Sequence, residues 1–120
     1  MLLINEKDLE WAVAANPSLS LKNILTNHNI CSGKVSCGVS KWAFGKGGVP
    51  HTHVETNQDE IYIVLRGRGI ADIEGELREV GPGDILHARC GEVHGMVEGL
   101  TPEGIEMFYI LLPTEQKEGV

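Results

Sequence analysis

One stretch limits what this chain can fold into more than any other. It runs Gly45-Lys-Gly-Gly-Val-Pro-His51-Thr-His53 and then, after a polar connection, Glu60-Ile-Tyr-Ile-Val-Leu-Arg-Gly67. The second half is β-branched and aromatic and is closed by glycine, which predicts a strand. On extended chain, residues i and i+2 share a face, so His51 and His53 can present both imidazoles to one ion. A neutral imidazole is the commonest transition-metal ligand. The pair alone carries little weight, because a solvated loop would hold it equally well. Strand parity adds more. If Glu60 points inward, so do Tyr62 and Val64, while Ile61, Ile63 and Leu65 form an outward row. Such a row needs cover from a second sheet, the N-terminal arm or another subunit.

A second glycine-punctuated block, Gly83-Asp-Ile-Leu-His-Ala-Arg-Cys-Gly91-Glu-Val-His94, follows. Together the two blocks resemble the cupin superfamily, in its small single-domain, metal-binding form. Gly45, His51, His53, Glu60 and Gly67 match the family's first motif, and Gly83, Gly91 and His94 match its second. Three features depart from the pattern. Six residues separate His53 from Glu60 where the family has three or four, Arg89 stands in place of a proline, and Glu98 in place of an asparagine. The resemblance implies an all-β fold, a double-stranded β-helix or jelly-roll barrel with a short N-terminal helix or arm. It also implies a metal held by His51, His53, Glu60 and His94, and pairing of subunits through N-terminal strands. Glu55 competes with Glu60, because it continues the parity of His51 and His53. It should fall in a turn, however, where carboxylates are usually solvated. Three imidazoles and a carboxylate suit one divalent transition metal (Mn, Fe, Co, Ni or Zn) and leave open positions on an octahedral ion.

The 120 residues fit one domain, divided into an arm (1–33), a barrel (34–114) and a tail (115–120). Three cysteines, Cys31, Cys37 and Cys90, without a CxxC point to free thiols and a reducing compartment. No apolar run approaches the ~18 residues of a membrane span, and the first residues do not read as a signal peptide. The expected location is the cytoplasm. The net charge is −7, and residues 51–120 alone hold five basic and fourteen acidic groups, hence −9. An acidic chain without a basic patch is a poor partner for nucleic acid.

Along the chain, Asn5 is expected to cap a helix from Glu6 to Ala15, and Leu21 to Leu25 an edge strand. Lys34 to Phe44 alternates, with Trp42 and Phe44 on the face that begins small and polar. That flip predicts a bulge or a strand passing between sheets. Trp42 and Phe44 read as core or dimer interface ahead of ligand stacking. Gly45 to Gly48 is expected to be a mobile lead-in. Gly69 to Glu74 and Leu77 to Val80 form a hairpin about Gly75, and Gly81 to Asp84 a turn. Ile85 to Ala88, Val93 to Glu98 and Ile105 to Leu112 supply the last strands, His94, Met96 and Glu98 facing inward. Tyr62 and Met96 are then candidates for the pocket wall. Tyr62 and His87 are candidate catalytic groups, His28 reads as loop, and Cys90 as an inert thiol.

These features favour a metal-dependent enzyme acting on a small, polar, oxygen-bearing metabolite, of dioxygenase, lyase, decarboxylase or sugar-isomerase type. The alternative is a non-catalytic small-molecule binding or sensor protein. Both are expected to be homodimers with no nucleic-acid or membrane partner. A DNA-binding regulator is disfavoured by the acidic charge.

Overall fold

The structure, a computed structural model, describes residues 3–25 and 35–114. His28, Cys31 and the expected tail 115–120 lie outside them. The described chain is all-β. The strands are β1 (Ala12–Val13), β2 (Leu19–Leu25), β3 (Ser36–Trp42), β4 (Gln58–Arg66), β5 (Gly69–Ile73), β6 (Glu76–Val80), β7 (Ile85–Ala88), β8 (His94–Gly99) and β9 (Ile105–Pro113). A larger sheet has the order β1-β2-β3-β9-β4-β7 and a smaller one β6-β5-β8, with antiparallel pairing throughout. This is the jelly-roll expected from the sequence. No helix among the described residues is long and apolar enough to cross a membrane.

Both sheets supply the core. Val64, Ile105 and Met107 come from the larger sheet, and Ala71, Val80 and Met96 from the smaller or its end, with Trp42, Tyr62 and Leu86 packed against them. The register sets which residues face this core. Tyr62 lies opposite Tyr109, Val64 opposite Met107, and Met107 opposite Ser40, so these share the inner face. Ile61 and Ile63, opposite Ile110 and Phe108, take the outer face and are only partly buried. The parity predicted for β4 therefore holds up to Val64. There a bulge at Leu65 brings Arg66 opposite Glu106, and the two ion-pair at 2.8 Å.

A second bulge corrects the sequence reading. Between Met96 and Glu98 the β5–β8 register shifts, so Ala71 faces Met96 but Ile70 faces Glu98. Glu98 is exposed and does not point inward. The flip expected near Trp42 has the other cause proposed for it. β3 pairs with β9 in unbroken register through Trp42, and the chain then crosses to the smaller sheet, where Phe44 bridges Gly99. Trp42 joins the core, whereas Phe44 is 57% exposed and does not.

The hairpin about Gly75 forms as predicted. Glu74 (φ 53°) and Gly75 (φ 83°) are both left-handed, the pattern of a two-residue type I′ turn. The lead-in Gly45 to Gly48, by contrast, is stitched to β8. The Gly45 N–H donates to the Gly99 carbonyl and that of Gly48 to Met96, both at 2.8 Å, and the Gly99 N–H donates to Lys46 at 2.9 Å. The approach is close enough to require glycine: a Cβ on Gly47 would lie 2.2 Å from the Val97 carbonyl atoms.

The N-terminal helix shortens to one 3₁₀ turn, Glu6–Asp8, although Asn5 caps it by accepting the Lys7 N–H at 3.0 Å. An apolar stripe of Leu9 and Val13 is too short to sustain further turns, and Ala12 and Val13 pair with β2 instead. β2 is thus two residues longer than expected and is covered by β1 at its edge. The arm is clamped by charge. Glu6 accepts from Arg66 at 2.7 Å and from the buried Lys22 at 3.2 Å, and the Trp11 ring lies 4.6 Å from Lys22 Nζ and 4.4 Å from Lys41 Nζ. The Arg66 guanidinium, against an opposing effect of burial, holds the Glu6 carboxyl below its ordinary 4.5. A depressed carboxylate stabilises the fold above its unfolded pKa, and that contribution fades as pH falls. Glu6→Gln should therefore lower stability at neutral pH by at most about 1 kcal/mol. In urea melts across a pH series, the gap to wild type should close below about pH 4.5. A gap independent of pH would mean that packing alone holds the arm.

Candidate metal centre

The site forms where the loop after Pro50 meets the start of β8. His51 and His94 exchange backbone hydrogen bonds, N–H to carbonyl in both directions, at 2.9 Å each. An antiparallel bridge of this kind puts both side chains on one face, and the two rings lie 4.8 Å apart. His53, two residues on, returns to that face with its ring 4.9 Å from His51 and 5.1 Å from His94. Glu60 enters from β4, buried at 5% exposure.

The long spacer between His53 and Glu60 leaves the carboxylate in place. Residues 54–57 form a turn with Asn57 in the left-handed region (φ 55°), and the Asn57 N–H donates to Val54 at 3.2 Å. The Gln58 N–H then donates to the His53 carbonyl at 3.2 Å, which starts β4 in register. Glu55 sits on this turn, exposed, and is not among the grouped side chains.

One ligand atom from each of His51, His53, Glu60 and His94 lies within 4.8 Å of the others. Nδ1 of His51 donates to the Val49 carbonyl and Nδ1 of His94 to the Glu92 carbonyl, both at 2.9 Å. A proton committed to Nδ1 leaves Nε2 as the lone-pair atom of a neutral ring. For His94, that atom lies 3.0 Å from Glu60 Oε1, which His53 Nε2 also approaches at 2.8 Å. Two acceptors this close repel each other unless a positive charge lies between them, either a proton or a metal ion. The donor set and the carbonyl-anchored rings therefore fit a divalent transition ion.

The electrostatics agree with a buried anion among cation-bearing groups. Burial pushes the Glu60 carboxyl up, but hydrogen bonds from His53, His94 and Tyr62 outweigh it and hold the group at about 2. Burial likewise pushes His94 down, and its bonds to Glu60 and the Glu92 carbonyl win, raising it above its ordinary value. The Tyr62 hydroxyl donates to Glu60 Oε1 at 2.7 Å. Burial and the Glu60 charge push Tyr62 well above its ordinary value, so it holds its proton.

Tyr62 and Met96 line a cavity of about 240 Å³ that opens over the histidines. His87 does not. It lies opposite Ile61 on the outer face of the sheet, exposed, and pairs with Asp59 at 3.0 Å. Its neighbour Ala88 is the one opposite Glu60, so parity sends His87 away from the site. Cys90 and Cys37 are free thiols. Cys90 Sγ lies 3.7 Å from Asn57 Oδ1, in the loop behind the site. Sequence reasoning overlooked Ser40 and Tyr109 as cavity residues. The signal was present, since Ser36, Gly38 and Ser40 are a row of small residues on the same face as Trp42, which leaves open space on an inner wall.

If this grouping holds the ion, Glu60→Gln should weaken nickel or manganese binding by at least roughly a hundredfold, more than loss of an outer-shell partner costs. Glu55→Gln should leave it unchanged and His53→Ala should abolish it. A chelator-competition titration giving the reverse order for the two glutamates would assign the carboxylate to the turn.

The cupin domain profile matches residues 40–111. No curated protein sequence matches the chain. Among solved structures, KdgF from Halomonas sp. superposes with a TM-score of 0.73 at 24% identity, covering 96% of each chain. A predicted oxalate decarboxylase from Thermotoga maritima gives 0.80 at 18%, covering 94% of this chain and all of that one. The polyketide cyclase RemF from Streptomyces resistomycificus gives 0.74 at 20%, covering 96% of this chain and 80% of that one. At these identities the likeness is one of fold. Together with the profile match over most of the barrel, it establishes that the chain belongs to the cupin domain family.

Proposed function

We propose that the protein is a metal-dependent enzyme acting on a small oxygen-bearing molecule. The observation that carries this reading is the position of the grouping His51, His53, Glu60 and His94 beneath an open cavity. A purely structural ion more often has its shell closed by protein. When bound, a divalent ion here supplies Lewis-acid or redox chemistry to an oxygen ligand of the substrate. The chain's own part is to aim these side chains. The Val49 and Glu92 carbonyls fix the rings of His51 and His94, and Tyr62 holds the Glu60 carboxylate from the cavity side. The Tyr62 hydroxyl lines the cavity and donates to Glu60, so it is placed to orient that carboxylate and to hydrogen-bond an oxygen of a bound molecule.

The test is a metabolite panel with nickel-, iron- or manganese-loaded protein, with and without oxygen. Turnover lost in His53→Ala supports the enzyme. Micromolar binding with unchanged ligand and no turnover in either atmosphere would replace it with a binding or sensor protein.

We further propose a homodimer through the outer face of the larger sheet. Ile61, Ile63, Phe108 and Ile110 share that face by register, and Ile85, opposite Ile63, is 69% exposed. Light scattering at micromolar concentration should give twice the 13.1 kDa chain mass. A monomer would overturn the proposal.

A further inference from the structure

The cavity wall away from the metal grouping says what kind of molecule it takes. Leu19, Leu21, Trp42, Val49 and Met96 make it mainly apolar, and none of the described residues lining it is Lys or Arg. Glu60 is its one carboxylate, turned to the histidines. A divalent ion with Glu60 carries a net charge of about +1, enough for one anionic chelating group. A second carboxylate or a phosphate at the other end would be desolvated without a partner, which is costly. Trp42 offers a flat surface, and Gly48 leaves room for it: a Cβ there would lie 2.9 Å from the indole ring.

Among the described residues of this wall, one fully buried polar side-chain atom lacks a partner. Ser40 is 6% exposed, and its Oγ makes no hydrogen bond in the structure. Ser40 lies on the inner face, opposite Leu21 and Met107, two strands from β4 and level with Val64, four residues along from Glu60. The unpaired hydroxyl and the metal grouping thus occupy different ends of the cavity. Buried hydroxyls are nearly always paired, so one left unpaired on a cavity wall marks where a bound molecule supplies the partner. Oγ is shielded in the structure, so it meets such a molecule after rotation about χ1.

We propose that the substrate is a flat, largely apolar molecule with at most one negative charge. It chelates the metal through oxygen at one end and is hydrogen-bonded by Ser40 Oγ at the other. This rests on the metal reading above and narrows the polar metabolite expected from sequence. A cavity of about 240 Å³ lies just below the range for drug-sized ligands, which suits a compact ring.

The test uses calorimetry on nickel-loaded protein with three oxygen chelators, each affinity taken relative to that for aqueous nickel. Kojic acid and allomaltol are hydroxypyrones that differ only in a hydroxyl at the end away from the chelating pair, and tartrate is a polar dicarboxylate. Both pyrones should bind more tightly than tartrate, and kojic acid more tightly than allomaltol by roughly two- to tenfold, the range of one hydrogen bond. Ser40→Ala should erase the second preference without lowering thermal stability, because it removes an unpaired hydroxyl. Tartrate binding as well as the pyrones would overturn the substrate class while leaving the metal site standing. A kojic acid preference that survives Ser40→Ala, or none in wild type, would overturn the role of Ser40. Failure to take up nickel would overturn the metal reading itself and the proposal with it.

Discussion

The reciprocal backbone hydrogen bonds between His51 and His94 decide where the rest of the site can be. His51 belongs to the segment leading into the larger sheet, and His94 opens the outer strand of the smaller one. Their bridge fastens the two sheets to each other at the point where the four candidate ligand side chains meet. Everything upstream serves this contact. Residues 45–48 run along β8 and bond to it in step, and only glycine at position 47 allows the approach. A ladder of main-chain bonds is stiffer than any set of side-chain contacts of the same length, so the imidazoles are aimed by backbone.

Around that bridge the chemistry is one of concentrated opposites. A single carboxylate oxygen receives Tyr62 and faces two ring nitrogens within 3.0 Å. Such an arrangement costs free energy in a dry interior unless a cation offsets it. The sequence from residue 51 onward is strongly acidic as well, with a balance of −9 over residues 51–120. Divalent cations are drawn to such a surface before they meet any ligand.

Much of this was legible beforehand, and the exceptions have physical reasons. A β-branched and aromatic run closed by glycine identified β4, and parity counted from Glu60 gave its inward face, because a side chain's direction on a strand follows from its number. The same rule carried too far placed Glu98 inside, since a bulge at Val97 is invisible to counting. His87 was misassigned for want of a register: once Ala88 lies opposite Glu60, its neighbour must face outward. Glu60 could be preferred to Glu55 from the resemblance and from strand placement, and the turn at Asn57 leaves Glu55 exposed while Glu60 groups with the histidines. The glycines before His51 suggested mobility, when their small size instead serves close packing. Ser40 escaped notice because a serine in an alternating strand reads as solvent-facing, although it shares a face with Trp42, and the pairing of three strands confirms that this face is the inner one.

The turn at residues 54–57 separates two properties that family motifs tie together, the length of the connection and the geometry of the ligands. Asn57 is anchored on its far side, its carbonyl accepting from Thr114 at 3.0 Å and its amide donating back at 3.1 Å. Strand β4 is thereby set independently of how much chain arrives before it. Added residues at positions 54–56 would lengthen the turn without moving the Asn57–Thr114 anchor. They lie outside the cavity wall, so such changes would alter the surface beside the site while leaving the cavity lining and Glu60 unmoved. The length of this connection and the position of the carboxylate are thereby uncoupled.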